Sequence, residues 1–415
     1  MLGIFIFFIP VTIGGTSSIM LDHIVTAIRN TFPSIVPFYA LMLVLLGAVY
    51  PFVTKQWNNS NTDIVFSIFK VLGLIFATLI YFNWGPGWLL AEDSGQFLYD
   101  KLIIPLSLLV PIGSAFLILI VGYGLLEFIG VLCRPIMRPV WKTPGRSAVD
   151  AVASFVGSYS IGLLITNRVY KEGKYSIKEA AIIATGFSTV SAPFMIVVAK
   201  TLGLMEIWNL YFWSALVTTF LVTMISIRIP PLSKKSTEFY LNKPNLEPEV
   251  KSNLIKNAWK EGMDAAGKSP SILSNLQSNM KDGFKMTMNV LPTGMSIGLI
   301  GILLSKYTPI FDIFGYLFLP FTYALQIPEP MLAAKAASLS IVEMFMPSLL
   351  IVSAPLITKF VLGIVTVASI IFFAGTIPCI VATDIPIKMS ELVIIWFQRT
   401  VLALIIATPI AYIFL

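Results

Sequence analysis

Charge is what this sequence has least of. Only 12% of its 415 residues are Asp, Glu, Lys or Arg, and 57% are hydrophobic; a soluble domain carries about 25% charged residues. So few polar side chains cannot cover a water-facing surface, which argues against a soluble protein. Histidine and cysteine are almost absent: His23 is the single imidazole, and Cys133 and Cys379 are the two thiols. That set cannot build the usual zinc, iron–sulfur or haem centre and implies no disulfide framework. A glycine-rich phosphate loop, a paired-aspartate motif and a His-based general base are missing too, so the sequence predicts no enzyme and no cofactor. The formal charge of +7 does not signal nucleic acid. The basic residues lie in short loops between apolar runs, as the positive-inside rule places them, with no basic stripe or recognition motif.

What is present is a series of apolar runs near the roughly 20 residues that span a bilayer. They are Ile35–Val53, Asp63–Phe82, Ile103–Cys133, Glu179–Gly203, Ile207–Ile227, Val290–Leu304, Met331–Val352, Lys359–Val381 and Ser390–Leu415, with shorter runs at Leu2–Ile13 and Ile310–Leu325. Leu2–Ile13 lacks a charged n-region and a small-residue cleavage site, so it predicts a short membrane segment and not a signal peptide. Arg134, Arg138, Lys142 and Arg146 follow one run, and Arg168, Lys171, Lys174 and Lys178 precede another. The stretch Pro230–Lys285 holds nine lysines, whereas Asn83–Asp100 has three acidic residues and no basic one. The basic loops therefore belong in the cytoplasm, with the N-terminus and residues 229–284 inside and Asn83–Asp100 outside.

Ser147–Thr166 has cytoplasmic-looking basic loops on both flanks. A single crossing would put one flank outside, so the run predicts a re-entrant element. Irregular backbone at that depth is tolerated only inside protein or along a watery cavity. Pro230–Lys285 is the one composition shift. It predicts an interfacial linker helix over Glu247–Ala266, with Leu254, Ile255, Ala258 and Trp259 on one face, and a second helix starting at Ser269-Pro270.

Proline and glycine reveal an internal repeat. Gly130, Pro135 and Pro193 recur 185 positions later as Gly315, Pro320 and Pro378, and Pro111-Ile112-Gly113 recurs as Pro292-Thr293-Gly294. Arg134–Arg146 carries four basic residues, and its counterpart Leu319–Met331 none. Arg168–Lys178 carries four, and its counterpart Ser353–Gly363 only Lys359. One repeat is basic where the other is bare, as expected of repeats lying upside down to each other. Inverted repeats with a midplane site are a recurring transporter plan, though channels share it. The expected fold is an all-α transmembrane bundle with two inverted repeats and re-entrant or broken helices. Its segments are N-terminal helices at 1–100, repeats at 101–228 and 285–415, and the linker at 229–284.

Ionisable side chains inside membrane segments are costly and point to function. Asp150, Lys200, Lys335, Glu343 and Asp384 stand out. The repeat pairs Asp150 with Lys335 and Ser158 with Glu343, which makes Asp150 and Lys335 candidates for substrate or ion coordination, or for an ion pair between the halves. Hydroxyls cluster at Ser154, Ser158, Tyr159 and Ser160 and again at Thr185, Ser188, Thr189 and Ser191 before Pro193, which would free the Thr189 carbonyl. Thr376 occupies the corresponding place in the second repeat. The candidate binding set is Asp150, Ser154, Ser158, Thr189, Ser191, Lys335, Glu343 and Thr376, with no catalytic or metal residue.

The run Asp150-Ala-Val-Ala-Ser154-Phe-Val-Gly157-Ser158-Tyr159-Ser160-Ile-Gly162-Leu-Leu-Ile-Thr166-Asn167 resembles bacterial membrane proteins of the nucleoside-recognition, or Gate, family. So does Glu179-Ala-Ala-Ile-Ile-Ala-Thr185-Gly186-Phe187-Ser188-Thr189-Val190-Ser191, and the YjiH-type subgroup is the nearest look-alike. Gate domains also occur in concentrative nucleoside transporters, ferrous iron transporters and spore maturation proteins. The resemblance implies a helical bundle with re-entrant hairpins and two inverted repeats. Together these readings predict a secondary transporter of a small polar metabolite, nucleoside being the named guess and Na⁺ or H⁺ the coupling ion. Amino acids and short peptides remain open as substrates. So does a non-transporting assembly component, alone, as a homo-oligomer or with a partner membrane protein.

Overall fold

The computed structural model describes residues 10–13, 16–59, 61–92, 94–121, 124–156, 159–242, 253–268, 271–373, 375–381 and 383–415. Helices α1 (Met20–Thr31), α2 (Ile35–Val53), α3 (Asn61–Tyr81) and α4 (Ile104–Val121) come first. Then follow α5 (Leu125–Ile136), α6 (Ser147–Val156), α7 (Tyr159–Lys171), α8 (Ile177–Gly186), α9 (Ala192–Leu202), α10 (Trp208–Ser226) and α11 (Leu254–Lys268). The chain continues with α12 (Ile272–Tyr307), α13 (Ile310–Gly315), α14 (Leu319–Ala324), α15 (Pro330–Leu339) and α16 (Met346–Leu350). Last come α17 (Leu356–Ser369), α18 (Thr376–Val381) and α19 (Met389–Phe414). Among the described residues, five helices are long and apolar enough to cross a membrane, and the chain is a multi-pass membrane protein.

Two compact units divide the chain: Met1–Phe116 with Ile272–Phe314, and Leu117–Ser271 with Gly315–Leu415. In the first, α12 lies against α2 and α3 with no room for side chains. A Cβ on Gly47 would fall 1.8 Å from the Met288 carbonyl oxygen, and one on Gly73 would fall 1.9 Å from that of Pro292. Small residues permit this approach where lipid supplies no hydrophobic drive between helices. Tyr39 and Tyr99 add hydroxyl bonds to the carbonyls of Ser107 (3.2 Å) and Pro37 (2.8 Å).

Several apolar runs are not single spans. Ile103–Cys133 divides into α4 and α5, because Gly124 takes a left-handed φ of 74° just before α5. Ser147–Thr166 doubles back: α6 and α7 pack side by side, and Thr166 reaches Asp150. Glu179–Gly203 breaks at Phe187–Ser191, and Lys359–Val381 breaks after Ser369. In both cases helix resumes around the proline: Pro193 lies in the first turn of α9 and Pro378 is the third residue of α18. Proline therefore opens a new half-helix here, its fixed φ suiting a first turn, and does not interrupt a continuous helix.

The element boundaries follow the 185-residue offset. Adding 185 to α6 (147–156) gives 332–341, against 330–339 for α15; adding it to α10 (208–226) gives 393–411, inside α19 at 389–414. The breaks correspond likewise, 187–191 becoming 372–376 against an observed 370–375. α10 and α19 pack together, and Lys235, just beyond the end of α10, pairs at 2.7 Å with Glu391 in the first turn of α19. The two helices therefore run antiparallel.

Two expectations are corrected, and a third is seen in part. Within Leu2–Ile13, the described part Pro10–Ile13 is a strand paired with Thr16–Ile19, as its β-branched Val11, Thr12 and Ile13 favour; residues 2–9 lie outside the described residues. The linker helix, expected over Glu247–Ala266, is described over Leu254–Lys268, its expected start lying outside the described residues. Ala258 is buried, while Ile255 and Trp259 are exposed. Finally, the helix expected after Ser269-Pro270 is continuous with the span Val290–Leu304, forming the 36-residue α12.

Candidate functional site

The site is built where hairpin tips meet helix breaks. In the second hairpin, α15 ends at Leu339 and α16 starts at Met346, leaving a tip at Ser340–Phe345. Glu343 lies buried there. Its carboxylate accepts the backbone N–H groups of Phe345 (2.7 Å) and Met346 (3.2 Å), so it closes the tip on itself. The tip is tied to the break before α18 by the Phe373 amide, which donates to the Ile341 carbonyl at 2.7 Å. The Trp396 indole of α19 donates to Ser340 Oγ at 2.9 Å.

The first hairpin reaches the same break from its own tip. Tyr159, first residue of α7, packs edge-on against Phe372 at 5.8 Å, and a Cβ on Gly375 would fall 2.6 Å from its hydroxyl. From the second tip, Phe345 meets Phe194 of α9 at 6.0 Å. Both tips thus converge on the unwound segments and the half-helices after them.

The break after α17 is strained. Ile370 has a φ of 62°, and the Ile371 amide donates to Ser369 across a three-residue turn at 2.7 Å. A β-branched residue at positive φ is a genuine outlier, of the kind that collects at binding and switch regions. Thr376 holds the loop in place: its hydroxyl donates to the Ile370 carbonyl at 2.7 Å and accepts the Phe372 amide at 3.0 Å. In the break after α8, the Thr189 hydroxyl is buried with no hydrogen-bond partner among the described residues. Ser191 is half-buried at the N-cap of α9.

Asp150 lies elsewhere. It occupies the first turn of α6, at the open end of the hairpin, almost fully buried. Tyr175 donates to one carboxylate oxygen; Thr166 lies 3.1 Å from the other and 2.8 Å from the Gly162 carbonyl, sharing one hydrogen between them. Next to this clamp, Ser154 packs against the backbone of Gly162, where a Cβ would fall 1.7 Å from its hydroxyl. Lys335 is half-buried along α15, its backbone amide 3.3 Å from where a Cβ on Gly315 would sit. Ser158 lies outside the described residues. Of the other two ionisable candidates, Lys200 is exposed, and Asp384 is exposed beside Lys171 (3.1 Å) and Asn167 (3.1 Å). Hydrogen bonding from the Lys171 ammonium, and then from Asn167, holds the Asp384 carboxyl below its ordinary range.

Sequence reasoning passed over Arg399 and Tyr175, and counted Tyr159 among the clustered hydroxyls without placing it in the candidate binding set. Arg399 was readable, being an ionisable residue inside the run Ser390–Leu415. Tyr175 was not, since it sits in a short basic loop and meets Asp150 only through the turn between α7 and α8. Among the described residues, no group of three His, Cys, Asp or Glu side chains is placed to share a metal ion.

Both helices of the first hairpin, the break after α8 and α9 lie within one matched segment. Residues 101–205 match the Gate family model, described as nucleoside recognition. The Gate segment thus covers one of the two helix breaks and the hairpin that reaches the other. Over 432 aligned residues the chain is 29% identical to an uncharacterized protein of Alkalihalophilus pseudofirmus, covering 99% of this chain and 92% of that protein. It is 26% identical over 149 residues to the sporulation integral membrane protein YlbJ of Bacillus subtilis, covering 36% of this chain and 34% of that protein. Among solved structures, it resembles CNTnw in an outward-facing state, with TM-score 0.48, 14% identity, and 91% of this chain and 92% of that one covered. For CNTnw in an inward-facing substrate-bound state, the TM-score is 0.47 with 13% identity, covering 95% of this chain and 97% of that one.

Proposed function

We propose that this chain is a secondary transporter, not an enzyme, that carries a small polar metabolite with Na⁺ or H⁺ as coupling ion. Nucleosides are the substrate class we name, on the description of the Gate segment. The observation that carries the reading is the convergence of both hairpin tips on the break before α18, with the buried carboxylate of Glu343 beside it. Freed carbonyls and half-helix ends suit polar substrate groups and a cation, and a membrane-buried carboxylate is seldom kept without use. We read the two repeats as inverted; the antiparallel course of α10 and α19 supports this. Glu343, Thr189, Ser191, Thr376 and Tyr159 are the residues we place at the substrate or ion. Asp150 with Ser154 supports the base of the first hairpin, and Lys335 is the cation nearest the second tip along α15.

The test is thermal stability of the purified protein against nucleosides, nucleobases, amino acids and dipeptides, with and without Na⁺. A ligand at about 100 times its dissociation constant adds roughly 2.7 kcal/mol. The expected result is a shift from one ligand class that Glu343→Gln abolishes, together with loss of uptake in that variant. A shift unchanged in Glu343→Gln overturns the site. The match to a sporulation membrane protein favours a second reading, a non-transporting assembly component; no shift across the panel, with a stable membrane partner on pull-down, would support it.

A further inference from the structure

Arg399 is the largest fully buried side chain among the described residues, midway along α19. No carboxylate lies within ion-pair distance of it among those residues. A cation in this setting needs compensation from elsewhere, and the geometry shows where it comes from. Nε and Nη2 donate to the carbonyl of Ala368, at 3.0 and 2.8 Å, in the last turn of α17. Nη1 donates to the Thr223 hydroxyl at 3.0 Å. That hydroxyl shares its own hydrogen between the Gly186 carbonyl (2.9 Å), which ends α8, and that of Thr219 (2.8 Å). A helix C-terminus carries about half a negative charge. The guanidinium therefore sits between the C-terminal ends of two half-helices whose combined partial charge roughly balances its own. Those ends are the last ordered turns before the two breaks.

We propose that Arg399, relayed through Thr223, is a positioning residue that fixes the two helix breaks to each other so that neither opens alone. This rests on the transport reading only for its meaning to turnover, since the tie itself is measured without substrate. Without the cation, two like-charged helix ends would face each other across a buried gap, and both would be displaced.

The experiment is hydrogen exchange by mass spectrometry on the full chain in lipid nanodiscs, comparing Arg399→Gln, Arg399→Lys, Thr223→Val and Thr223→Ser with the wild type. Arg399→Gln is expected to quicken exchange at Gly186–Thr189 and at Ile370–Phe373 together, roughly tenfold or more for a lost charge-assisted bond. Thr223→Val is expected to quicken Ile370–Phe373 as well, although Thr223 makes no bond to that segment, and Thr223→Ser is expected to restore it. If each variant changes only the segment it touches, the tie is overturned. Should Arg399→Gln fail to fold, the Thr223→Val and Thr223→Ser pair still decides the matter. If the wild type shows uptake, Thr223→Val should lower its maximal rate more than its KM; if it shows none, the transport reading fails while the exchange result stands.

Discussion

At the scale of single residues, burial and the type of partner separate support from function. Asp150 is a buried carboxylate answered by two hydroxyls, which makes it the clasp of a hairpin. Tyr175→Phe leaves it one donor short, and stranding a buried acceptor costs about 1–3 kcal/mol. The melting temperature in detergent should fall accordingly, and by much less in an Asp150→Asn background, because contacting groups do not add. Equal losses in both backgrounds would show that the two side chains act separately. Glu343 differs, since backbone amides at the second tip answer it. The sequence marked both acids, because charge inside an apolar run is visible in one dimension. It could not separate the clasp from the tip, because that distinction depends on where each hairpin turns.

At the scale of elements, the matching positions of the prolines were visible in the sequence and the way they act was not. Pro193 and Pro378 sit 185 residues apart in sequence, but only the structure shows each inside the opening turn of a half-helix. The seat of the linker helix was likewise not legible. Helix α11 docks on α5 through Ala258 and a backbone contact in which a Cβ on Gly124 would fall 1.9 Å from the Gly262 carbonyl oxygen. Arg134 fastens it with paired bonds to Glu261 at 3.1 and 2.9 Å. The periodicity marked the apolar face of an interfacial helix and not this seat, because a glycine-to-glycine approach leaves no hydrophobic signature. Gly124→Val should dislodge α11, seen as faster tryptic cleavage after the exposed Lys256 and Lys260. Cleavage at the wild-type rate would mean the Arg134–Glu261 pair holds the helix by itself.

At the scale of the whole molecule, composition decided the solvent and loop charge suggested the orientation. The units fall differently from the sequence repeats. All of α12 and the first part of α4 belong to the first unit, while the later helices of both repeats make up most of the second. A sequence divides where its pattern recurs and a fold divides where its contacts thin, and the two need not agree. The orientation can be read directly: in a background with Cys133 and Cys379 replaced by serine, Gly87→Cys should react with an impermeant maleimide on intact cells. Gly267→Cys should react only after lysis, both sites having open space around the added side chain. Labelling in the reverse order would invert the topology. The close approaches at Gly47 and Gly73 carry a consequence for how the first unit meets its surroundings. Adhesion by backbone contact weakens within about 0.5–1 Å of separation, so three helices held this way cannot slide past one another to match a thinner or thicker bilayer. They can only tilt as a block, and the lipid must bend to meet them.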